Sequence, residues 1–334
     1  MNNYCNDNIV KLSKRIMKDF SVVTENKFSI DNLFSHNGKY IFLATGGSYI
    51  ASVFCAKIIN LYYGIFVNTM YPRDFLYTNY DFIDKVFIFS YSGHTSDLVE
   101  AVKFVPKEKI FVITKGQIDD IINAYNIKRE NVISYYNDDN DCEGGFLTFE
   151  ASIFSPMLLL NRINNKCNVK LLDRLIQKWD LYFDNIFKSK RKQLLKMFSN
   201  TSIVNIFSGD MTQVSALDVE NKLTDSGICN CILHEKKNFS HGRYVIYENQ
   251  INKYNIYFKR KEVDLYEKKL LQYLNDDFTL IIESEYNDIL CEFDLLISSM
   301  ILINHIGKLL NIDPSIGTTK FSGDELYKYI GSLK

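Results

Sequence analysis

The sequence has no excess charge of either sign. Its 334 residues include 39 lysines and arginines against 40 aspartates and glutamates. Proteins that bind nucleic acids through the phosphate backbone rely on surplus positive charge. The near balance argues against nucleic-acid binding as the main task, although it leaves room for a local basic patch. We therefore expect no nucleic-acid partner.

A long uninterrupted apolar run is also missing. The nearest to one, residues 295–310, is interrupted by Asn304, His305 and Lys308, whereas a membrane-spanning helix needs about 20 predominantly apolar residues. The first residues lack the basic segment, apolar core and cleavage site of a secretory signal. We therefore expect a cytoplasmic protein with no membrane partner.

The cysteines do not form a recognisable pairing pattern. Seven of them are scattered along the chain, and an odd number in a cytoplasmic chain favours reduced thiols. Cys229 and Cys231 share one face of a predicted strand, but neither a C-x-x-C pair nor two nearby histidines complete a zinc site. We expect packing thiols at this place and no metal.

A polar loop stands directly after a buried strand. The apolar run 86–89 predicts the strand, the residues Ser90–Thr95 read SYSGHT, and a helical pattern follows. Open α/β sheets bind ligands at the carboxyl ends of their strands, and a helix N-terminus suits an anion. The hydroxyl groups indicate a phosphate cradle; the alternative is an ordinary helix cap, which needs only one hydroxyl. The candidate binding residues are Ser90, Tyr91, Ser92 and Thr95.

A second glycine-rich turn has the same setting. The apolar run 40–44 precedes Thr45–Gly46–Gly47–Ser48, and a helical pattern begins after it. Two such turns, about 45 residues apart, are suited to flank one ligand. Neither has the spacing of a dinucleotide-binding or P-loop motif, so these ligands are disfavoured. Gly46, Gly47 and Ser48 are therefore candidate binding residues.

Strand and helix patterns alternate along both halves of the chain, which indicates an α/β protein with mainly parallel sheets. The two halves repeat one order, as in an internal duplication, and a charged helical segment, 166–199, connects them. We predict two domains, 1–165 and 166–334, with Asn6 or Asp7 capping the first helix. The predicted strands are 40–44, 64–68, 85–89, 109–113, 131–135, 202–207, 228–233, 253–258 and 278–283.

The two turns resemble those of the sugar isomerase (SIS) domain. That family has a glycine–small–serine turn after its first strand and an S-x-S-G-x-T loop after a later one, which stand here as Gly46–Ser48 and Ser90–Thr95. With the repeated halves, the resemblance to double-SIS proteins covers nearly the whole chain. It implies two tandem three-layer α/β/α sandwiches with mainly parallel sheets, and a phosphosugar site in the first.

The pair His241–Gly242 extends this resemblance to the isomerase domain of glutamine–fructose-6-phosphate aminotransferase. In that class a histidine–glycine pair opens the sugar ring and reaches it from a neighbouring subunit. The match implies a catalytic His241 and a homodimer, although Arg243 stands where that class has proline. The alternative is a structural histidine that holds its loop.

The same class uses a carboxylate on a glutamate-rich helix as the proton-shuttling base. Glu220 matches the first glutamate of that helix, but the catalytic glutamate has no clean match, and Asp225 is the nearest carboxylate. Near the end of the chain, Lys320 follows the turn Asp313–Pro314. In that class a similar turn is followed by a lysine that returns to the sugar site. The resemblance thus implies Glu220, Asp225 and Lys320 as catalytic candidates.

Other positions extend the implied sugar site. Glu143 and Thr148 match a glutamate and a hydroxylated residue that contact the sugar in double-SIS proteins, whereas Glu150 stands where lysine is common. The second half lacks the S-x-S-G-x-T loop, and carboxylates in 283–288, after its late strand, would repel a phosphate. We expect one phosphosugar site per chain, to which the second half donates a catalytic loop and the C-terminal tail.

Two functions remain open. One is an aldose–ketose isomerase, or a related deaminase or deglycase, acting on a sugar phosphate of the hexose 6-phosphate class. Such enolisation needs no metal or organic cofactor. No glutaminase domain precedes the first half, so free amine or ammonia would have to supply any nitrogen that the reaction needs. The other is a non-catalytic sugar-phosphate sensor, favoured by the missing match to the catalytic glutamate.

Overall fold

A computed structural model describes residues 3–25, 33–137, 142–165, 167–274 and 278–316, which form two compact units. The described residues of the first unit are 12–25, 33–137, 142 and 148–165. Those of the second unit are 3–11, 143–147, 167–274 and 278–316. The first helix, α1 (Tyr4–Glu25), contributes residues to both.

The cap of α1 differs from the prediction. The helix begins at Tyr4, before Asn6 and Asp7. The carboxylate of Asp313 accepts the N–H groups of Tyr4 (2.7 Å) and Cys5 (3.3 Å). The predicted caps, Asn6 and Asp7, were wrong because the helix begins before them: the local cap is Asn3, whose side chain accepts the N–H of Asn6 (3.0 Å), and Asp313 adds an acceptor that no local pattern reveals.

The first unit is built on a five-stranded sheet in the order β2-β1-β3-β4-β5, with all neighbours parallel. The strands are β1 (Tyr40–Leu43), β2 (Val67–Met70), β3 (Lys85–Phe89), β4 (Ile110–Thr114) and β5 (Val132–Ser134). The helices are α2 (Gly46–Tyr63), α3 (Pro72–Phe75), α4 (Ser96–Ala101), α5 (Ile118–Tyr125) and α6 (Glu150–Asn164).

Helices cover both faces of this sheet. Successive strand residues point to opposite faces, so Val86 and Ile88 pack with Leu98 of α4 and Ile121 of α5. The alternate residues, such as Phe87, lie on the face where α2 and α6 pack together. The unit is therefore a three-layer α/β/α sandwich.

The second unit has a four-stranded parallel sheet in the order β7-β6-β8-β9. Its strands are β6 (Ile203–Ser208), β7 (Asn230–Glu235), β8 (Tyr254–Lys259) and β9 (Phe278–Glu283). Its helices are α7 (Val169–Ser189), α8 (Arg191–Met197), α9 (Gln213–Asp225), α10 (Lys236–Asn238), α11 (Tyr244–Glu248), α12 (Leu265–Tyr273) and α13 (Ile289–Leu310).

The long helix α13 is the core of the second unit and packs against α7 and α9. Among the described helices, it alone is long and apolar enough to cross a membrane by length and composition, but its whole apolar window is buried. Its buried Asp294 accepts the indole N–H of Trp179 (2.7 Å) on α7. Burial of this extent is that of a core helix in a globular unit.

The predicted fold class is confirmed, because both sheets are parallel and carry flanking helices. Most strand bounds agree with the prediction within two residues, and β3 and β9 agree fully; the second strand, expected at 64–68, is found at Val67–Met70. The order of the first four strands in sheet one, β2-β1-β3-β4, recurs as β7-β6-β8-β9. This makes β8 the counterpart of β3. The boundary between residues 165 and 166 stays a prediction.

Candidate functional site

The loop after β3, Ser90–Thr95, folds as a tight turn. The buried Oγ of Ser90 accepts the N–H of Gly93 (3.1 Å) and lies 3.2 Å from Thr95 Oγ1. Gly93 has a φ of +76°, and a Cβ there would lie 2.0 Å from Ile121 Cδ1. Only glycine fits this conformation and this spacing without displacing a neighbour. The turn is thus shaped by Ser90 and Gly93.

The hydroxyl groups of this loop have different surroundings. Ser90 is 4% exposed and bonded within the turn. Ser92 is exposed, and its Oγ accepts the N–H of His94 (3.3 Å). Thr95 is half-buried and precedes α4, but its side chain caps no N–H group of that helix. Ser92 and Thr95 are therefore the hydroxyls that can meet a ligand, while Ser90 supports the turn.

The helix that follows is shorter than predicted. The sequence pattern predicts a helix over 95–104, whereas α4 has six residues, Ser96–Ala101. The helix dipole arises from many aligned peptide units, so this short helix supplies only a weak field. Anion binding at the loop would rest on its hydroxyl and N–H groups.

The turn between β1 and α2 brings a second predicted residue close. Gly46 is exposed with a φ of +54°, and Ser48 is half-buried in the first turn of α2. A Cβ on Gly47 would lie 1.5 Å from Thr148 Oγ1. Ser152 Oγ donates to the carbonyl of Gly47 (3.3 Å). The lack of a side chain at Gly47 is what lets Thr148 approach this turn.

Both turns lie at the same edge of the first sheet. β1 and β3 are parallel neighbours, so the loops after them are adjacent at the carboxyl edge. The chain leaves the central pair of strands in opposite directions along the sheet, to β2 and to β4. This is the topological switch point at which open α/β sheets bind ligands. The structure thus brings together Gly46–Ser48, Ser90–Thr95 and Thr148.

The other residues of the implied sugar site are placed differently. Glu143 is half-buried in the segment 143–147, which groups with the second unit. In that segment Gly144 exchanges two hydrogen bonds with the side chain of Asn8 (2.9 and 3.1 Å), and the Phe146 N–H donates to the carbonyl of Ser315 (3.0 Å). Lys320 lies outside the described residues.

Beneath the loop after β3 lies a buried cluster of charges that the sequence analysis missed. It comprises Arg15 and Asp19 of α1, Lys115 after β4, and Glu150 at the start of α6. Lys115 Nζ pairs with Glu150 and, at 3.2 Å, with Asp19; Arg15 Nε lies 2.9 Å from Glu150 Oε2. Each of the four is at most 4% exposed. We call it the charge quartet.

The quartet connects to the candidate loop through Tyr91. The Tyr91 hydroxyl donates to Glu150 Oε2 (3.4 Å), and Lys115 Nζ lies 5.9 Å from the centre of the Tyr91 ring. The N–H of Lys115 also donates to the carbonyl of Tyr91 (3.0 Å). Tyr91, predicted as a binding residue, therefore has a structural role as well. Glu150 stands at a position where the family commonly has lysine, and here its carboxylate pairs with two buried cations.

The carboxyl group of Asp19 titrates abnormally. Burial, followed by a hydrogen bond to Glu150 and repulsion from it, raises the pKa of Asp19 from 3.8 to about 8, against the opposing effect of Lys115. The folded protein therefore binds a proton that the unfolded chain releases above about pH 4. This contribution to stability is complete below about pH 4 and is lost as the pH rises to about 8.

Asp19→Asn should flatten this dependence. We expect the free energy of unfolding of the wild type to fall more steeply between pH 5 and pH 8 than that of the variant, because the amide side chain binds no proton. Urea unfolding at several pH values measures both slopes, and Asp97→Asn, at an exposed position of α4, should keep the wild-type slope. Parallel curves for the wild type and Asp19→Asn would contradict the assignment.

His241 lies on an exposed helical turn. The helical geometry is irregular there, since Phe239–Arg243 forms a π-helical turn in which Gly242 has a φ of +110°. Phe239 is 2% exposed and packs its ring edge-on against Phe207 and Tyr247. The side chain of His241 is exposed. The sequence predicts a loop, and the backbone of His241 and Gly242 is indeed non-helical; the turn is anchored by Phe239 and leaves the imidazole exposed.

The candidate bases lie far from this turn within the second unit. α9 has 13 residues and is thus about 20 Å long. It starts after the carboxyl end of β6, and Asp225 is its last residue, so Asp225 lies toward the opposite edge of the sheet. His241 follows the carboxyl end of β7. The structure therefore does not bring His241 together with Glu220 or Asp225 of the same unit.

Both carboxylates have raised pKa values. Burial raises the pKa of Glu220, with a smaller rise from Asp225, while the Thr224 hydroxyl, which donates to Glu220 Oε1 (3.3 Å), opposes it. Burial also raises the pKa of Asp225, against the attraction of Lys222. A raised pKa brings a carboxylate closer to the value that suits a general base near neutral pH.

A buried ion pair on α9 was also missed. Asp218 and Lys222 pair one turn apart, and Ser299 of α13 donates to the same carboxylate. Both charged residues are at most 4% exposed. The sequence signal for this ion pair is an aspartate and a lysine at i and i+4 within an otherwise apolar stripe of α9.

No group of three or more potential metal ligands occurs among the described residues. All seven cysteines are free thiols in the structure. A neighbouring Cys229 and burial raise the pKa of Cys231 far above its usual value, so this thiol stays protonated. Cys229 is buried and Cys231 half-buried, which agrees with the predicted packing role.

Comparison with known proteins identifies the fold only. No family model and no curated protein matches the chain. Among solved structures, it resembles the C-terminal domain of glucosamine-fructose-6-phosphate aminotransferase from Francisella tularensis (14% identity, TM-score 0.67, covering 93% of this chain and 97% of that one). It also resembles glucosamine-6-phosphate deaminase from Thermotoga maritima (15% identity, TM-score 0.68, covering 93% of this chain and 96% of that one).

A third solved structure has another activity in its name. The tagatose-6-phosphate ketose/aldose isomerase from Escherichia coli is 13% identical, with a TM-score of 0.68 and 96% of each chain covered. The chain thus has the α/β fold of phosphosugar isomerases and deaminases, as its resemblance to SIS proteins implied. The match extends over nearly the full length of each of these structures.

Proposed function

We propose that this chain is a double-SIS protein that binds a sugar phosphate of the hexose 6-phosphate class. We further propose that it acts on this ligand as an aldose–ketose isomerase or as a deaminase or deglycase. The observation that carries the proposal is the meeting of Gly46–Ser48, Ser90–Thr95 and Thr148 at the switch point of the first sheet. Solved structures of the same fold that are named for phosphosugar reactions support it.

The loop after β3 would hold the phosphate. Ser92 and Thr95 offer hydroxyl groups in the tight turn that Ser90 and Gly93 shape. Hydroxyl and N–H donors to a charged acceptor are the stronger class of hydrogen bond. Gly47, whose missing side chain opens the neighbouring turn, and Thr148 would border the sugar hydroxyls, and Glu143 would contact the sugar as the family resemblance implies.

Two groups of the second unit would supply the chemistry. His241 would take the proton of the anomeric hydroxyl and give one to the ring oxygen, which opens the ring. Glu220 or Asp225 would then remove the C2 proton of the aldose to give the enediolate, a proton would pass from O2 to O1, and the carboxylic acid would return its proton to C1, which yields the ketose. Lys320 would assist as the C-terminal lysine does in the resembling class.

We propose a cytoplasmic homodimer in which His241 serves the site of the second copy. The exposure of His241 and its separation from the candidate bases of its own unit support this arrangement. An exposed imidazole on an anchored turn is suited to meet a partner surface.

A sugar-phosphate sensor without chemistry is the second candidate. It is favoured by Asp225, which is shorter by one methylene than the glutamate it replaces and stands at the far end of α9. A base that is misplaced by about 1 Å can lower the rate about 100-fold. Incubation with hexose 6-phosphates, followed by mass spectrometry and chromatographic separation of aldose from ketose, distinguishes the two. Turnover supports the enzyme, whereas binding without turnover supports the sensor.

Ser92→Ala and Thr95→Ala should each weaken sugar-phosphate binding about 5- to 150-fold, because each removes a donor to a charged group worth about 1–3 kcal/mol. Isothermal titration calorimetry with glucitol 6-phosphate measures the change. Ser189→Ala, at an exposed position of α7, is the matched control and should bind as the wild type does. Unchanged affinity in both loop variants would refute the phosphate cradle.

A further inference from the structure

The second unit has a cavity at the edge of its sheet that corresponds to the candidate site of the first. It lies at the carboxyl ends of β6, β7 and β8, where Gly209, Glu235 and Arg260 follow or end the strands, and its volume is about 370 Å³. Cavities of about 300–1,000 Å³ are the usual size for small-molecule sites. By strand order, the loop 260–264 takes the place that Ser90–Thr95 has in the first sheet.

This placement corrects an expectation from the sequence. The sequence interpretation takes residues 283–288, after the late strand, as the counterpart of the phosphate loop, and their carboxylates would repel an anion. The order of the strands, both along the chain and in the sheet, shows that 283–288 follows β9, the counterpart of β4, whereas the true counterpart is the loop 260–264. That loop begins with Arg260 and Lys261 and also contains Glu262 and Asp264, so it has no net negative charge.

Two cations line this cavity with no carboxylate partner among the described residues. Arg260 is half-buried, and Lys237 is exposed with its Nζ 4.4 Å from the centre of the Tyr266 ring. Tyr266 is itself fixed, because its hydroxyl donates to the carbonyl of Lys236 (2.6 Å). Both positive charges thus line the cavity without a direct ion pair.

Three of the carboxylates around the cavity are occupied by internal donors. Glu235 accepts the N–H groups of Lys237 (3.1 Å) and Asn238 (2.6 Å). Asp264 accepts the N–H of Glu267 (2.8 Å) at the start of α12, and Glu267 pairs with the buried Lys236. Carboxylates that are capped in this way have most of their charge compensated. A fourth, Asp210, is exposed.

We infer that this cavity is a second ligand site, for a phosphate monoester of a small polyol. A phosphate dianion matches the two charges of Arg260 and Lys237, and arginine binds phosphate oxygens in bidentate fashion. The carboxylate of Glu235 has further lone pairs with which to accept hydroxyl groups of the remainder of the ligand. The cavity contains neither the Ser90–Thr95 loop nor His241, so the site is independent of the proposed reaction.

The test uses the full-length chain in which Ser92→Ala and Thr95→Ala have weakened the first site. Calorimetry with glucitol 6-phosphate should show residual binding of one ligand per chain. Adding Arg260→Gln should weaken this binding at least about 10-fold, the loss of a hydrogen bond to a charged group. Lys237→Gln, at an exposed position that should not affect folding, should weaken it in the same direction.

Three controls make the outcome decisive. Arg191→Gln, at an exposed position of α8, should leave residual binding unchanged. Glucitol without phosphate should not bind. Equal residual affinity with and without Arg260→Gln and Lys237→Gln, or no residual binding at all, would overturn the second site. Neither result bears on the first site, which is tested separately by Ser92→Ala and Thr95→Ala in the wild-type background.

Discussion

His241→Ala should lower kcat about 100- to 10,000-fold, the usual contribution of a general acid–base group. It should leave the affinity for glucitol 6-phosphate, an open-chain analogue, unchanged, because this analogue has no ring to open. A loss of kcat without a loss of analogue binding marks a group that acts in the transition state. Steady-state kinetics with the cyclic hexose 6-phosphate and calorimetry with the analogue measure both.

The fold should tolerate this substitution. His241 is exposed, and the turn that carries it is anchored by Phe239, so we expect a change in stability within about 0.5 kcal/mol. His36→Ala, at another exposed histidine, should change neither kcat nor stability. A parallel loss of kcat, analogue binding and thermal stability in His241→Ala would instead identify a structural loop anchor.

The proposed homodimer makes this experiment sharper. His241→Ala and the double variant Ser92→Ala/Thr95→Ala each lack one half of the site, so each alone should be nearly inactive. In an equimolar mixture half of the dimers carry both variants, and each of these has one intact site if His241 acts across the interface. We expect about a quarter of the wild-type activity to return on subunit exchange. Sedimentation velocity should show dimers, and mixed dimers without activity would contradict the exchange of histidines between copies.

Lys115→Met should lower the free energy of unfolding by about 3–5 kcal/mol, the cost of removing one partner from a buried ionic cluster. Lys115 is 4% exposed and pairs with both Asp19 and Glu150. The comparison is made at about pH 9, where Asp19 is ionised as well, so that the loss of Lys115 leaves Arg15 alone to balance two buried carboxylates. Because the cluster also bonds to Tyr91, sugar-phosphate binding at the adjoining loop should weaken as well.

Urea unfolding measures the loss, and two comparisons test its origin. Lys103→Met removes an exposed surface pair with Glu100 (3.4 Å) and should cost less than about 1 kcal/mol. Lys115→Met/Glu150→Gln removes one charge of each sign and should recover part of the stability, because fewer buried charges remain unpaired. A cost of Lys115→Met no larger than that of Lys103→Met would show that the quartet does not stabilise the fold.

The sequence predicted the parts of the fold that depend on local pattern. The apolar runs of β3 and β9 indicated their bounds, and the glycine positions indicated both turns of the first site, since Gly93 and Gly47 are required by contacts that only glycine permits. Those turns are recognisable because the chemistry is contained within a few consecutive residues.

The charge quartet could not be predicted in this way. Its members stand at positions 15, 19, 115 and 150, and only the packing of α1 and α6 within the first unit brings them together. Arg15 lies beside Leu12 and Ile16 on the buried face of α1, where a charged side chain is uncommon. The counterpart of the phosphate loop was misplaced because the loop after β8, the third strand of its half, lacks the motif that identifies the loop after β3.

The contact between Asp313 and the start of α1 has a consequence for the order in which the protein folds during translation. Residues 3–11 leave the ribosome before the first sandwich, but they belong to the unit whose other described residues from 167 onward are made after it. The amide groups of Tyr4 and Cys5 must therefore wait for Asp313, 309 and 308 residues later, before they gain their acceptor. The first sandwich can form while the second unit is still being made, whereas the second unit closes only after Asp313 has been added.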